Sequence, residues 1–87
     1  IRITAVRDLN MADLEGYARI ISMSRPTHVE VKAYMHVGFS TTRLGFDAMP
    51  SHPEILSMAR GLAERTSYRL ADHVPLSRVA LLSGKQA

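Results

Sequence analysis

The stretch HVEVKAYMH, residues 28–36, decides the fold that we predict for this chain. Apolar and polar residues alternate along it without a break. One side carries Val29, Val31, Ala33 and Met35, and the other carries His28, Glu30, Lys32, Tyr34 and His36. Because successive side chains of a strand point to opposite faces, this pattern predicts a strand with one apolar face and one polar face.

Two interpretations of the polar face are open. In the first, the sheet is covered on one side only and the polar face simply meets water. In the second, the face lines a cavity, as in an open α/β barrel, since strands covered on both sides are usually apolar throughout. Glu30 and Lys32 would then lie about 7 Å apart on one strand. They would hold each other charged and orient a substrate or carry a proton.

The rest of the chain alternates between strands and helices. The predicted strands are 1–7, 28–36, 68–71 and 78–82, the predicted helices are 10–24 and 51–65, and 83–87 is a frayed tail. Asn10, followed by Asp13, is the expected start of the first helix, and Ser51 to Glu54 forms a capping box at the second. The order is β-α-β-loop-α-β-β, an α/β fold whose first two strands are parallel through a right-handed crossover.

Composition limits the chemistry of the chain. Its 87 residues form one domain, 1–87, with 46% hydrophobic and 22% charged residues. The absence of cysteine excludes disulfides, cysteine-bound zinc, thiol catalysis and an iron–sulfur cluster held by this chain. The four histidines lack metal-ligand spacing, so we predict no metal site. No apolar run approaches the ~20 residues that cross a bilayer, and no targeting segment is visible, so we expect a cytoplasmic protein without a membrane partner.

The charge balance is compatible with a polyanionic partner but does not require one. The formal net charge is +3, and many basic small domains bind no nucleic acid. Arg43, in the long loop 37–50, could hold a phosphate, although a single exposed arginine is usually only solvated. Ser77 lacks the context of a catalytic nucleophile and fits a turn. Composition and spacing alone therefore leave the function open.

Longer motifs carry a resemblance to a known family. The stretches are ITAVRDLNM (3–11), VEVKAYMHVGFS (29–40), RLGFDAMPSHPEIL (43–56) and LADHVPLSRVALL (70–82). Together they resemble the C-terminal, wyosine base formation region of the archaeal-type 4-demethylwyosine synthases, a radical S-adenosylmethionine family that modifies tRNA. Arg7 and Asp8 stand where that family usually has lysine and glycine.

The resemblance implies an activity for a longer protein. The family folds as an incomplete α/β barrel, and its upstream cysteines bind iron–sulfur clusters that cleave S-adenosylmethionine. The radical joins carbons of pyruvate to 1-methylguanosine in phenylalanine tRNA. This chain would supply the last strands and helices of the barrel, with its polar strand face in the lumen. It would bind no cofactor by itself, and the isolated 87 residues would be inactive.

The resemblance also implies site residues. The candidates for holding substrate or cofactor are Asn10, Glu30 and Lys32. The candidates for RNA contact are Ser40, Arg43, Ser77 and Arg78, with Gly38 and Ser40 opening the loop. No catalytic step is assigned to any of them. Two alternatives are kept: a small α/β module that binds RNA without catalysis, and a domain that self-associates through an open sheet edge.

Overall fold

A four-stranded sheet covered by two helices forms the protein in the computed structural model, which describes residues 1–7, 10–34 and 49–84. The elements are β1 (Arg2–Ala5), α1 (Leu14–Ser24), β2 (His28–Ala33), α2 (His52–Glu64), β3 (Arg69–Val74) and β4 (Val79–Ser83). Met35 and His36, and the loop candidates Gly38, Ser40 and Arg43, lie outside the described residues. The predicted element order and the α/β class are confirmed.

The strands lie in the order β1-β2-β4-β3. β1 pairs with β2 in parallel, as the β-α-β prediction requires. β4 is antiparallel to both β2 and β3. The carboxyl ends of β1, β2 and β3 therefore meet at one edge of the sheet. α2 begins at that edge, where Glu54 of its first turn binds Arg7, the second residue after β1.

Both helices begin with a polar cap. Ser51 Oγ accepts from the backbone N–H of Glu54 at 3.3 Å and the Glu54 carboxylate accepts from the Ser51 N–H at 3.0 Å, which confirms the capping box. The prediction for α1 is wrong by three residues: Asp13, not Asn10, caps it and accepts from the N–H of Gly16 at 3.0 Å. Asn10 is not free to cap because its amide bonds the end of β1.

The core lies between the helices and one face of the sheet. Alternate residues of β1, β2 and β4 enter it, together with one stripe of each helix, and β3 contributes only the partly buried Leu70. The largest fully buried side chains are those of Ile21, Ile55, Leu62, Leu82, Val29, Val31 and Pro50. Burying an aliphatic side chain of this size contributes roughly 1.5–3 kcal/mol, so packing on this face stabilises the fold. No helix in the described ranges is long and apolar enough to cross a membrane.

The β3–β4 hairpin extends further than the sequence predicts. β3 runs to Val74 rather than to 71, and an irregularity in its register between Leu70 and Asp72 interrupts the alternation that would have revealed it. Ser83, predicted as frayed, is the last residue of β4, and Gly84 donates its N–H to the Thr27 carbonyl at 3.0 Å. Ser83 and Gly84 are therefore bonded to the sheet and the segment beside it, and the fraying of the tail stays a prediction.

Candidate functional site

The face of the sheet turned away from the helices carries two rows of side chains that cross all four strands. The first row consists of Arg2, Glu30, Leu81 and Asp72, and the second of Thr4, Lys32, Val79 and Val74. We call this surface the open face. The predicted two-sided character of β2 is confirmed, since its apolar residues are buried while its polar residues are half-buried or exposed.

The charge partner of Glu30 differs from the predicted one. Glu30 Oε1 lies 3.1 Å from Arg2 Nε, on the neighbouring strand. Within the described residues Lys32 forms no direct ion pair with Glu30, and the expectation that the two act together on a substrate stays a prediction. Directly opposed residues on paired strands lie about 4.5–5.5 Å apart at Cβ, closer than residues two apart along one strand. Lys32 remains half-buried on the open face, one row from the carboxylate.

A second polar cluster lies at the carboxyl edge of the sheet, where Arg7 follows β1. Its guanidinium binds Glu54 through two hydrogen bonds, Nε to Oε2 at 3.1 Å and Nη2 to Oε1. The Arg7 bonds, followed by the Ser51 N–H, lower the pKa of Glu54 to about 2 against the opposing effect of burial. Glu54 is therefore anionic at all physiological pH values and fixes α2 to β1 rather than moving protons.

Asn10 lies at the same edge, with its amide occupied by the backbone of β1 and the residue after it. Its Oδ1 accepts from the N–H of Val6 at 2.7 Å, and its Nδ2 donates to the Thr4 carbonyl at 2.8 Å. The Asn10 side chain therefore supplies hydrogen-bond partners to backbone groups at the end of β1 that would otherwise need a partner from a neighbouring strand. Contact between Asn10 and a substrate or cofactor stays a prediction.

Ser77 and Arg78 lie in the turn that joins β3 to β4, also at the carboxyl edge. Arg78 has a left-handed backbone (φ 51°), donates Nη1 to the Pro50 carbonyl at 3.0 Å and accepts from the N–H of Ala33 at 3.0 Å. It therefore ties the hairpin to the start of α2 and the end of β2. Ser77 is exposed beside it. RNA contact by either residue stays a prediction.

Sequence reasoning missed a histidine pair at this edge. His52 Nε2 lies 3.0 Å from His73 Nδ1, and the rings stack with centroids 5.2 Å apart. Burial, and then the nearby His73 and Arg78, lower the pKa of His52 and so favour its neutral ring. No group of three or more potential metal-ligating side chains lies in the part of the chain that the structure describes. The sequence did not point to this pair, because the position of His52 is already explained by the cap at the start of α2.

A cleft of about 710 Å³ lies at the edge of the sheet opposite the carboxyl edge, where both helices end. Arg25 and Arg65 line it, and Arg65 is already engaged by Glu15 at 2.7 Å and by the Gly61 carbonyl. Helix C-termini carry partial negative charge, which these arginines offset. In α/β folds, ligands bind at the carboxyl ends of the strands instead. We therefore place the candidate site on the open face and its carboxyl edge.

Comparison with known proteins identifies the family of this fold. The family described as "Wyosine base formation" matches residues 23–84. The chain belongs to this family. The S-adenosyl-L-methionine-dependent tRNA 4-demethylwyosine synthase of Pyrococcus horikoshii is 42% identical over 83 residues, 94% of this chain and 24% of that protein. The corresponding protein of Methanocaldococcus jannaschii is 40% identical over 85 residues, 98% of this chain and 27% of its own length.

Solved structures agree with the family assignment. One, described as TYW1 with a lysine-pyruvate adduct bound, superposes with a TM-score of 0.86 at 38% identity and covers 97% of this chain and 26% of its own. An archaeal TYW1 gives a TM-score of 0.78 at 33% identity, over 97% of this chain and 25% of its own. The resemblance found in the sequence is thus confirmed. The chain spans about a quarter of the length of these relatives and corresponds to their C-terminal part.

Proposed function

We propose that this chain is the C-terminal segment of a tRNA 4-demethylwyosine synthase, and that its open face forms part of the wall of the reaction chamber. Two findings support the proposal. The family match and the superposed structures extend over nearly the whole chain rather than over one motif. The sheet also has one face packed under helices and one face that keeps Glu30 and Lys32 accessible, as the wall of a cavity requires.

The proposed reaction joins carbons of pyruvate to 1-methylguanosine in phenylalanine tRNA, in the cytoplasm. S-adenosylmethionine bound to an iron–sulfur cluster supplies a carbon radical in radical enzymes of this kind. This chain has no cysteine and cannot hold such a cluster, so no step of the radical chemistry is assigned to it. The pyruvate carbon source is favoured by the relative whose structure contains a lysine-pyruvate adduct.

The contribution of this chain is binding and orientation. Lys32 presents an ammonium group to carboxylate or phosphate groups of a guest in the chamber. Glu30, oriented by Arg2, accepts hydrogen bonds from amine or hydroxyl groups. Asn10 completes this set at the carboxyl edge. Ser77 and Arg78 at the hairpin turn, with Ser40 and Arg43 of the loop, contact the tRNA backbone.

This proposal depends on one observation: a chain that belongs to the wyosine base formation family has a sheet with one face buried under helices and one face accessible. The test uses the longer protein that contains this chain, with reconstituted clusters, a reductant, S-adenosylmethionine, pyruvate and phenylalanine tRNA carrying 1-methylguanosine. We expect mass spectrometry of the digested tRNA to reveal 4-demethylwyosine, and only when pyruvate is present. Unchanged tRNA under conditions that convert it with the Pyrococcus horikoshii enzyme would refute the proposal.

The net charge of +3 favours a second candidate, RNA binding by the 87 residues without catalysis. Neutralisation of phosphates releases counterions, so such binding weakens steeply as salt rises. Titration of labelled tRNA with the 87-residue chain at two salt concentrations distinguishes the candidates. Tight, salt-sensitive binding combined with an inactive longer protein would favour the second.

A further inference from the structure

The open face contains a small hollow over its third and fourth strands. Its volume is about 170 Å³. The side chains of Leu81, Val79 and Val74 form an apolar floor, Glu30 and Asp72 stand at opposite sides of it, and His73 lines it next to Asp72. We call it the β4 hollow. An apolar floor between two carboxylates is unusual on a sheet face that only meets water, where alternation would place polar residues throughout.

The two carboxylates of the β4 hollow face each other across one strand. Glu30 and Asp72 are both paired with Leu81, from opposite sides, so their strands lie roughly 10 Å apart. One oxygen of each is engaged: Glu30 Oε1 by Arg2 at 3.1 Å, and Asp72 Oδ1 by the N–H of His73 at 2.8 Å. Within the described ranges the second oxygen of each has no partner and can accept a hydrogen bond from a ligand.

Size and charge restrict the occupant of the β4 hollow. Pockets for complete small molecules usually enclose about 300–1,000 Å³, so this hollow accepts a single flat group rather than a whole ligand. The carboxylates of Glu30 and Asp72 disfavour phosphate and carboxylate groups within the hollow itself. The apolar floor favours a ring face or a methyl group. A planar heterocycle with an exocyclic amine satisfies all three conditions.

We propose that the β4 hollow receives an amine-bearing purine base of an RNA substrate, with Leu81 and Val79 against the ring and Glu30 or Asp72 accepting from its exocyclic amine. The proposal deepens the proposed function and rests on it for the RNA. The adenine of S-adenosylmethionine has the same chemistry. We assign the hollow to the RNA base because β3 is the outermost strand of the described sheet, where a base attached to a polymer can enter from the rim.

The first test measures the two ligands separately in the longer protein. Leu81→Ala is compared with Ile20→Ala, which removes a similar side chain from the exposed side of α1. We expect Leu81→Ala to raise the KM for tRNA about tenfold, to leave the Kd for S-adenosylmethionine unchanged, and Ile20→Ala to change neither. Equal KM values for both variants, or weaker S-adenosylmethionine binding in Leu81→Ala, would overturn the assignment.

The second test needs no catalysis. Two stem-loop RNAs taken from phenylalanine tRNA carry either 2-aminopurine or purine in place of the 1-methylguanosine, so they differ only by the exocyclic amine. We expect the protein to bind the 2-aminopurine RNA three- to tenfold more tightly, and the Glu30→Gln, Asp72→Asn double variant to lose that preference, because amides accept hydrogen bonds from amines more weakly than carboxylates do. The corresponding Glu64→Gln change on the exposed side of α2 should keep it.

The outcomes of these tests separate the two proposals. A preference that persists in the double variant, or that is absent from the parent protein, would refute the β4 hollow as the base site even if the parent forms 4-demethylwyosine. A preference that depends on the two carboxylates in a protein that forms no 4-demethylwyosine would refute the proposed reaction and leave the base site in place.

Discussion

The two faces of one sheet differ in what they do for this protein. On the helix face, Val31 and Leu82 are fully buried among residues of both helices. On the open face, their immediate neighbours Lys32 and Leu81 are half-buried, and Leu81 lines the β4 hollow. One step along a strand therefore moves from a residue that stabilises the fold to a residue that is available for a ligand. Substitutions at neighbouring residues of one strand should therefore have different effects: those on the helix face should lower stability, and those on the open face should weaken ligand binding.

The largest expected effect is on stability, at the helix face of β4. Leu82→Ala should lower the free energy of unfolding by about 2–5 kcal/mol, because it removes buried methyl groups and leaves a cavity. Leu81→Ala, one residue away, should cost less than about 1 kcal/mol, since its side chain is partly solvated already. Urea unfolding followed by circular dichroism measures both. Equal losses at the two positions would show that the faces do not differ in this way.

A smaller loss is expected at the carboxyl edge, where the helix layer is attached. Ser51→Ala removes the side chain that accepts from the Glu54 N–H, and loss of such a cap costs about 1 kcal/mol. Ser57→Ala, on the exposed side of α2, is the matched control and should change stability little. If both substitutions had the same effect, the capping box would not be what holds the start of this helix.

The contribution of Glu54 should depend on pH. Its pKa falls from 4.5 to about 2 on folding, so its stabilising effect is present above about pH 4.5 and is lost as the pH drops toward about 2. Because the side chains of Arg7 and Glu54 are more than a third exposed, solvent screening limits the effect to about 1 kcal/mol or less. Glu54→Gln should therefore be less stable than the parent at pH 7 and nearly equal to it near pH 2. A constant difference would contradict the ion pair.

The smallest expected effect is a gain. Arg25 ends α1 with a left-handed backbone (φ 50°), a conformation that glycine adopts without steric cost. Arg25→Gly should raise the free energy of unfolding by a few tenths to about 1 kcal/mol. Arg78 has a similar backbone angle, but Arg78→Gly removes the hydrogen bond from the Arg78 side chain to the Pro50 carbonyl. This variant should therefore gain less stability than Arg25→Gly, or lose stability. Thermal unfolding of the pair measures the difference.

The sequence predicts those features that depend on near neighbours. The alternation through Val29, Glu30 and Val31 predicts β2 and its two faces, and the capping box predicts the start of α2. The extent of β3 could not be predicted, because Asp72 is a poor strand former and the nearby register irregularity breaks the alternation of apolar and polar residues. These errors are local and leave the element order intact.

The site is less predictable, because its partners are distant in sequence. Arg7 and Glu54 are 47 residues apart, and the pairing of Glu30 with Arg2 depends on the parallel register of β1 and β2. The β4 hollow requires three strands in register, which no single motif encodes. Family resemblance supplied the protein class, whereas the contacts that orient each side chain came from the fold.

Paired substitutions on β2, made in the longer protein, test the central claim most directly. Val31→Ala should lower the free energy of unfolding by about 2 kcal/mol while activity per folded molecule stays at the parent level. Lys32→Met should keep the melting temperature within about a degree, as expected for a change outside the core, and reduce 4-demethylwyosine formation at least tenfold. Arg60→Met on the exposed side of α2 is the control for loss of charge. Full activity in Lys32→Met, or parallel loss of stability and activity in both variants, would contradict the account.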